Sequence, residues 1–286
     1  EEKGTALWVI THDEKVLTYL NCKSFKLSEK QLFETSPTKK EATHLDQNAF
    51  GDKMVLDVQN LGFSYPKSDN GFTDVSFNLH EGEILGVVGQ SGSGKSTLAK
   101  ALVKVFSANG CITPNYPTGR VQLIFQSPDA ALDPLQRVGK CMMEVVRIHH
   151  KLSKNDRRAK ALELMQQVGL NENHFNRLPH QLSGGQKQRI CIAKALACQP
   201  KVLICDECVS SLDADIKHQI LALLQSLSIT QNVGIVFITH DIGLIKGFAH
   251  NVLVMANGQV VESGNAQQVF NEPETDATKA LLAALL

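Results

Sequence analysis

Gly89, Gln90, Ser91, Gly92, Ser93, Gly94, Lys95, Ser96 and Thr97 run consecutively and spell GxxxxGK[ST]. Glycines at these spacings let backbone N–H groups turn toward one anion with no Cβ in the way. The lysine that follows carries an ammonium to the same anion, and Ser96 offers a hydroxyl oxygen of the kind Mg²⁺ takes. The stretch follows the apolar run Ile84-Leu85-Gly86-Val87-Val88 and leads into a helix-like segment from near Ser96. The partial positive charge of a helix N-terminus then points at the same place. A Gly/Ser-rich loop can match this pattern by accident, but rarely between a strand and a helix. The chain is expected to bind a nucleoside triphosphate with Mg²⁺ through these nine residues.

Further residues suited to chemistry follow. Val202-Leu203-Ile204-Cys205 is a buried-type strand that delivers Asp206 and Glu207 at its end, and Ile235-Val236-Phe237-Ile238 is another that leads to Thr239-His240-Asp241. Gln126 ends the run Leu123-Ile124-Phe125, and Tyr65 stands in Gly62-Phe63-Ser64-Tyr65-Pro66. The stretch Leu182-Ser183-Gly184-Gly185-Gln186-Lys187-Gln188-Arg189 opens a helix with Ile190, Ala193 and Ala197 inward, ended by Pro200. Taken singly, Asp206–Glu207 could be a surface acidic pair, His240 a structural histidine and Tyr65 a core tyrosine. Their order along the chain is what argues otherwise.

The elements that must hold these residues can be read from periodicity. Met54-Val-Leu-Asp-Val58 and Val75-Ser-Phe-Asn-Leu79 alternate, as half-exposed antiparallel strands do. The strand entering the phosphate loop is continuously apolar, as a buried parallel strand should be. Between about 134 and 199 the pattern turns helical. Leu135, Val138, Met142 and Val145 are expected on one helical face, and Ala161, Leu164, Met165 and Val168 on another. Ser153 with Asp156 marks a helix start.

Phosphate loop first, then Leu-Ser-Gly-Gly-Gln, then the Asp–Glu strand, then the histidine: this order closely resembles the ATP-binding-cassette ATPases, over essentially all of residues 54–270. The resemblance implies an α/β fold: a P-loop (RecA-like) parallel-sheet core with an antiparallel β subdomain and an inserted α-helical subdomain at about 127–192. It implies that Lys95 reaches the β- and γ-phosphates, that Tyr65 stacks on adenine with Phe63 as the fallback, and that Ser96, Gln126 and Asp206 serve Mg²⁺. Glu207 would be the general base toward water and His240 the contact to the γ-phosphate, with Gln126 and Lys95 completing the catalytic set. Ser183, Gly184, Gly185 and Gln186 would complete the site of an opposing cassette, with Asp213 crossing that interface. The sequence departs from the family in having Cys208-Val209 where Pro-Thr or Pro-Val is usual; hydrolysis is expected to survive this. Oxidation of Cys205 or Cys208 is expected to damp it, since both flank the carboxylates.

The 286 residues carry 29 basic and 29 acidic side chains, so no net charge argues for nucleic acid. No apolar stretch approaches the length of a bilayer span, so any membrane role needs separate subunits. Seven irregularly spaced cysteines are not a disulfide framework. The Cys205–Cys208 pair lacks the second ligand pair zinc would need. A reduced, cytosolic setting is the expectation.

Residues 6–13, Ala-Leu-Trp-Val-Ile-Thr-His-Asp, repeat the pattern of 235–241, Ile-Val-Phe-Ile-Thr-His-Asp, and each is followed by a helical stretch and a strand–turn–strand. The reading is that 1–35 closes a preceding cassette, 36–51 is a linker, and 52–286 is a cassette; the alternative is an extension that happens to share Thr-His-Asp. The start at Glu1-Glu2 rather than Met fits a fragment. His12 would serve a phosphate loop this chain does not contain, so it is expected to be idle. The stretch Phe125-Gln-Ser-Pro-Asp-Ala-Ala-Leu-Asp-Pro134 resembles cassettes of dipeptide, oligopeptide and nickel importers. That implies transmembrane permease subunits, a second cassette and an indirect link to a substrate-binding protein as partners. It implies a place on the cytoplasmic face of a membrane, a bacterial inner membrane, with peptides, nickel or metal chelates as cargo. The competing reading is a cassette that works without a transporter, as a mechanical or regulatory module.

Overall fold

The computed structural model describes residues 50–66, 71–115 and 120–284, together with the backbone of two strands, β1 (Ser24–Ser28) and β2 (Gln31–Thr35). These two pair antiparallel, from Ser24↔Thr35 to Ser28↔Gln31. The Thr-His-Asp repeat at 11–13, with His12, and the linker apart from its last two residues lie outside the described residues.

Four continuously apolar segments are β5 (Ile84–Gly89), β8 (Val202–Asp206), β9 (Gly234–Thr239) and β10 (Asn251–Ala256). With β7 (Val121–Ile124) and β11 (Gln259–Asn265) they form a sheet in the order β11-β10-β5-β9-β8-β7. Every neighbouring pair is parallel except β10–β11. Both faces of this sheet are covered, which is why its central strands carry no polar alternation. Leu203, Cys205, Ile235, Phe237, Val252 and Val254 enter one core; their alternates Val202, Ile204, Val236, Ile238, Leu253 and Met255 enter the other.

The second core is closed by β3 (Met54–Ser64), β4 (Gly71–His80) and β6 (Asn109–Pro114), an antiparallel sheet ordered β4-β3-β6. Helix Lys95–Leu102 contributes Leu98, Ala99 and Leu102 to the same core. The first core is closed by helices Val138–His149, Lys154–Gln167, Gly184–Ala197 and Ala214–Gln231.

The helical stretch corrects one expectation. Helix Val138–His149 buries Val138, Met142 and Val146, a clean i, i+4, i+8 stripe. Leu135 precedes the helix and is 89% exposed, and Val145 is only half-buried. The cause is the turn before the helix, where the N–H of Leu135 donates to Asp133 Oδ1 at 2.9 Å, so helical phase starts only after Arg137. The other expected stripe is buried throughout, at Ala161, Leu164, Met165 and Val168. Ser153 caps its helix by accepting from the Asp156 N–H. Ile190, Ala193 and Ala197 are fully buried on the helix that ends at Ala197.

Among the described residues, no helix is long and apolar enough to cross a membrane.

Candidate functional site

Parallel strands bring their carboxyl ends to one edge, and there the loops meet. Register does the alignment: Val88 pairs with Thr239, Asp206 with Ile238, and Ile124 with Cys205. The phosphate loop after β5, Asp206–Glu207 after β8, His240 after β9 and Gln126 after β7 therefore leave the sheet side by side.

The loop is glycine where side chains cannot fit. A Cβ on Gly89 would lie 2.2 Å from the Met255 carbonyl oxygen. Gly94, at φ 98°, caps helix Lys95–Leu102, and a Cβ there would come within 2.7 Å of the Gly71 carbonyl oxygen. The β3–β4 hairpin end thus lies directly on the loop. Lys95 is 5% exposed and folds back over the loop, its Nζ donating to the Gly89 and Gln90 carbonyls at 2.8 Å and to Ser93 Oγ at 3.3 Å. Burial pulls its pKa down, and the charges of Glu207 and Asp206 partly restore it. An ammonium held by hydrogen bonds to the loop's own carbonyls can be handed to a phosphate without refolding the loop.

Ser96 Oγ donates to Asp206 Oδ1 at 2.9 Å. Asp206 is nearly buried, and that burial raises its pKa; the Ser96 bond pulls the other way, and the charge of Glu207 adds to the rise. A hydroxyl and a carboxylate at this separation, beside a phosphate cradle, are the hard oxygen donors that suit Mg²⁺.

Glu207 is gripped from both sides. Its Oε2 accepts from Gln126 Nε2 at 3.0 Å, and its Oε1 faces His240 Nδ1 at 3.1 Å. Its backbone sits at φ 48°, in the left-handed region that a glutamate rarely adopts. The surroundings hold it there: the Glu207 N–H donates to the Ile238 carbonyl at 2.9 Å, and Ser210 Oγ donates to the Glu207 carbonyl at 2.9 Å. The strained turn is what swings this carboxylate between the amide of one loop and the imidazole of another.

Two sets of expected residues are placed apart from this cluster. Ser183 caps helix Gly184–Ala197, its Oγ accepting from the Gln186 N–H at 3.3 Å while Gln186 Oε1 accepts from the Ser183 N–H at 3.1 Å. A Cβ on Gly185 would strike Ile216 Cγ2 at 2.5 Å, so this helix start packs against the start of helix Ala214–Gln231. Asp213 caps that second helix, accepting from the Ile216 N–H at 3.0 Å. Ser183, Gly184 and Asp213 are exposed, and among the described residues none bonds to the phosphate loop or the strand-end cluster. Tyr65 directly follows β3 and is 38% exposed. Its ring lies crosswise to Phe63 (centroids 5.0 Å apart, 87°) and near Phe106 (6.3 Å, 64°), while Phe63 and Phe106 stack at 3.8 Å and 24°. Phe106 belongs to no motif, and sequence reasoning missed it.

The expected oxidation sensitivity of Cys205 and Cys208 is corrected. Both are essentially buried. The thiol of Cys205 hydrogen-bonds Cys208, and that bond together with burial drives its pKa well above the ordinary range. A protonated, enclosed thiol is inert. No cluster of metal-ligating side chains of the zinc type occurs among the described residues.

A family model described as "ABC transporter" matches residues 72–210. The chain is 38% identical over 251 residues to the dipeptide transport ATP-binding protein DppF of Haemophilus influenzae, covering 83% of this chain and 77% of that one. It is 39% identical over 271 residues to the glutathione import ATP-binding protein GsiA of Escherichia coli K12, covering 86% of this chain and 44% of that one, so it spans less than half of that relative. Among solved structures, the dimeric post-hydrolysis state of the ATP-binding cassette MJ0796 bound to ADP and Pi superposes with a TM-score of 0.64 at 26% identity, over 74% of this chain and 98% of that one.

Proposed function

The chain belongs to the ABC transporter ATPases, of the dipeptide and oligopeptide importer group, and on that premise we propose how its residues bind ATP, hydrolyse it and pass the work to an importer. The observation that carries the reading is the hydrogen-bonded set Gln126–Glu207–His240 beside Ser96–Asp206, all on the edge where the phosphate loop opens.

Backbone N–H groups of residues 89–97 cradle the phosphates, and the helix that begins at Lys95 adds its N-terminal field. Lys95 leaves the Gly89 and Gln90 carbonyls for the β- and γ-phosphate oxygens. Ser96 and Asp206 would hold Mg²⁺, with Gln126 as a further oxygen donor. When bound, the ion neutralises charge on the phosphate oxygens. Glu207 orients the attacking water and accepts its proton, and His240, on the other side of that carboxylate, donates to the γ-phosphate. Such a ring mainly positions and neutralises, which is what phosphoryl transfer asks of a protein. Tyr65 stacks on the base.

Ser183, Gly184, Gly185 and Gln186 cap the nucleotide of a second cassette, with Asp213 across the same interface. The exposure of Ser183, Gly184 and Asp213, none of which bonds to this chain's own phosphate loop or strand-end cluster among the described residues, supports that role. ATP then joins two cassettes, and loss of the γ-phosphate lets them part, a population shift driven by one ligand. We propose that the pair drives import of peptides, or of nickel or metal chelates, through separate transmembrane subunits at the cytoplasmic face of a bacterial inner membrane, with an indirect link to a substrate-binding protein. Residues 1–35 are proposed to close a first cassette, joined through 36–51 to the cassette of 52–286; the repeated Thr-His-Asp and the β1–β2 hairpin support this.

The test is to tag the protein in its host, solubilise membranes gently and identify what co-purifies. Two hydrophobic membrane subunits are expected. Recovery with ribosomes, with nucleic acid or with no membrane partner would overturn the transport reading and leave the ATPase chemistry intact.

A further inference from the structure

We infer that Phe106 is a positioning residue for the nucleotide base: it fixes the ring of Tyr65 at a set distance from the phosphate loop. The inference rests on the reading of Tyr65 as the base platform.

The helix that starts at Lys95 ends at Leu102 in a tight reversal. Lys104 takes φ 57°, its N–H donates to the Ala101 carbonyl at 2.9 Å, and the Val105 N–H donates to the Lys100 carbonyl at 3.0 Å. This is the double-bonded C-terminal motif that usually employs glycine, built here on a lysine. It points Val105 outward, 62% exposed, and turns Phe106 back under the end of β3. There Phe106 stacks on Phe63 with centroids 3.8 Å apart, closer than the usual range for offset rings. Tyr65 lies crosswise to both rings, at 87° and 64°, and is 38% exposed, so part of its ring stays open to solvent.

One short rigid element therefore carries both ends of the ligand. Lys95 opens it at the phosphates, and the reversal at its other end places Phe106 at the base. An eight-residue helix fixes that span at about 12 Å. The β3–β4 hairpin is pinned to the same loop where Gly71 meets Gly94. Without Phe106, Tyr65 would keep its contact to Phe63 but lose the second ring that sets its tilt.

Stacking is tolerant of base identity, so the effect falls on any purine triphosphate and spares a ligand that has no base. Isothermal titration of the full chain with ATP, GTP and tripolyphosphate tests this. Phe106→Leu keeps the apolar volume and is expected to weaken ATP and GTP about threefold to tenfold, the factor for losing one aromatic contact. It should leave tripolyphosphate unchanged, add nothing in a Tyr65→Ala background, and be rescued by Phe106→Tyr. Unchanged ATP affinity in Phe106→Leu, or equal weakening of tripolyphosphate, would assign Phe106 to packing alone and overturn the inference. So would effects of Phe106→Leu and Tyr65→Ala that simply multiply. If Tyr65→Ala itself leaves ATP affinity unchanged, the platform reading fails first and the inference falls with it.

Discussion

The strand-end cluster and the start of the helix at Gly184 are both rich in polar groups, yet they satisfy them in opposite ways. In the cluster, partners come from far along the chain: Ser96 bonds Asp206, and Gln126 and His240 converge on Glu207. At the helix start, among the described residues, the side chains of Ser183 and Gln186 bond to each other's backbone N–H groups, and the Asp213 side chain bonds within its own helix. The first arrangement costs strain and burial, a glutamate at φ 48° and an enclosed aspartate. The second is unstrained, exposed and complete as a cap. A protein accepts strain where geometry must be held for chemistry. The exposed Ser183 and Gly184 carry no such strain, which suits the role proposed for them toward the nucleotide of a second cassette.

The comparison breaks most decisively at Glu207. Glu207→Gln preserves the hydrogen bonds of a side chain in the same place but removes the base. Hydrolysis is expected to fall about 10²–10⁴-fold, while ATP binding persists and ATP-joined pairs accumulate on size-exclusion chromatography. Equal turnover by wild type and variant would take the base away from Glu207.

A smaller but sharper effect separates the two regions. Lys95→Ala disables the cradle and Ser183→Glu places a carboxylate where a phosphate should dock, so each alone is expected to be inactive. Mixed one to one with ATP, random pairing makes half of the pairs heterologous, each with one intact site. About a quarter of wild-type turnover should return. Were Ser183 to act within its own chain, the mixture would stay dead.

How much of this was legible in the sequence follows from the same contrast. Short continuous apolar runs rich in β-branched residues fit strands buried on both faces, so β5, β8 and β9 and the polar residues at their ends could be read from the sequence. Leu135 could not, because a side-chain-capped turn at Asp133 delays the helix and changes its phase, and spacing alone does not carry that. Phe106 left no trace either. Its meaning lies in a reversal built on Lys104 and in a ring contributed by β3. The enclosure of Cys205 and Cys208 was equally hidden: flanking the carboxylates in sequence, they face the core in space. Gln188 is fully buried with neither amide atom partnered among the described residues, and nothing in the pattern of its neighbours marks it as interior.

The smallest effect tests the contrast between strain and capping through pH. Asp206 has its pKa raised above 3.8, chiefly by burial. The folded chain therefore holds this proton to higher pH than the unfolded chain does, and the stability contributed by Asp206 falls as pH climbs through the window between the two values. At neutral pH the ionised, buried carboxylate is a net cost. Asp206→Asn, which can still accept from Ser96, is expected to raise the melting temperature of the nucleotide-free protein at pH 7, by a margin that shrinks as pH is lowered toward 4, about the ordinary aspartate value. Ser183→Ala should do the reverse and without pH dependence, lowering stability by about 1 kcal/mol for a lost helix cap. Calorimetric melting of both variants across this range reads the two regions against each other. A pH-independent gain in Asp206→Asn would mean that burial of the charge is not what strains the site.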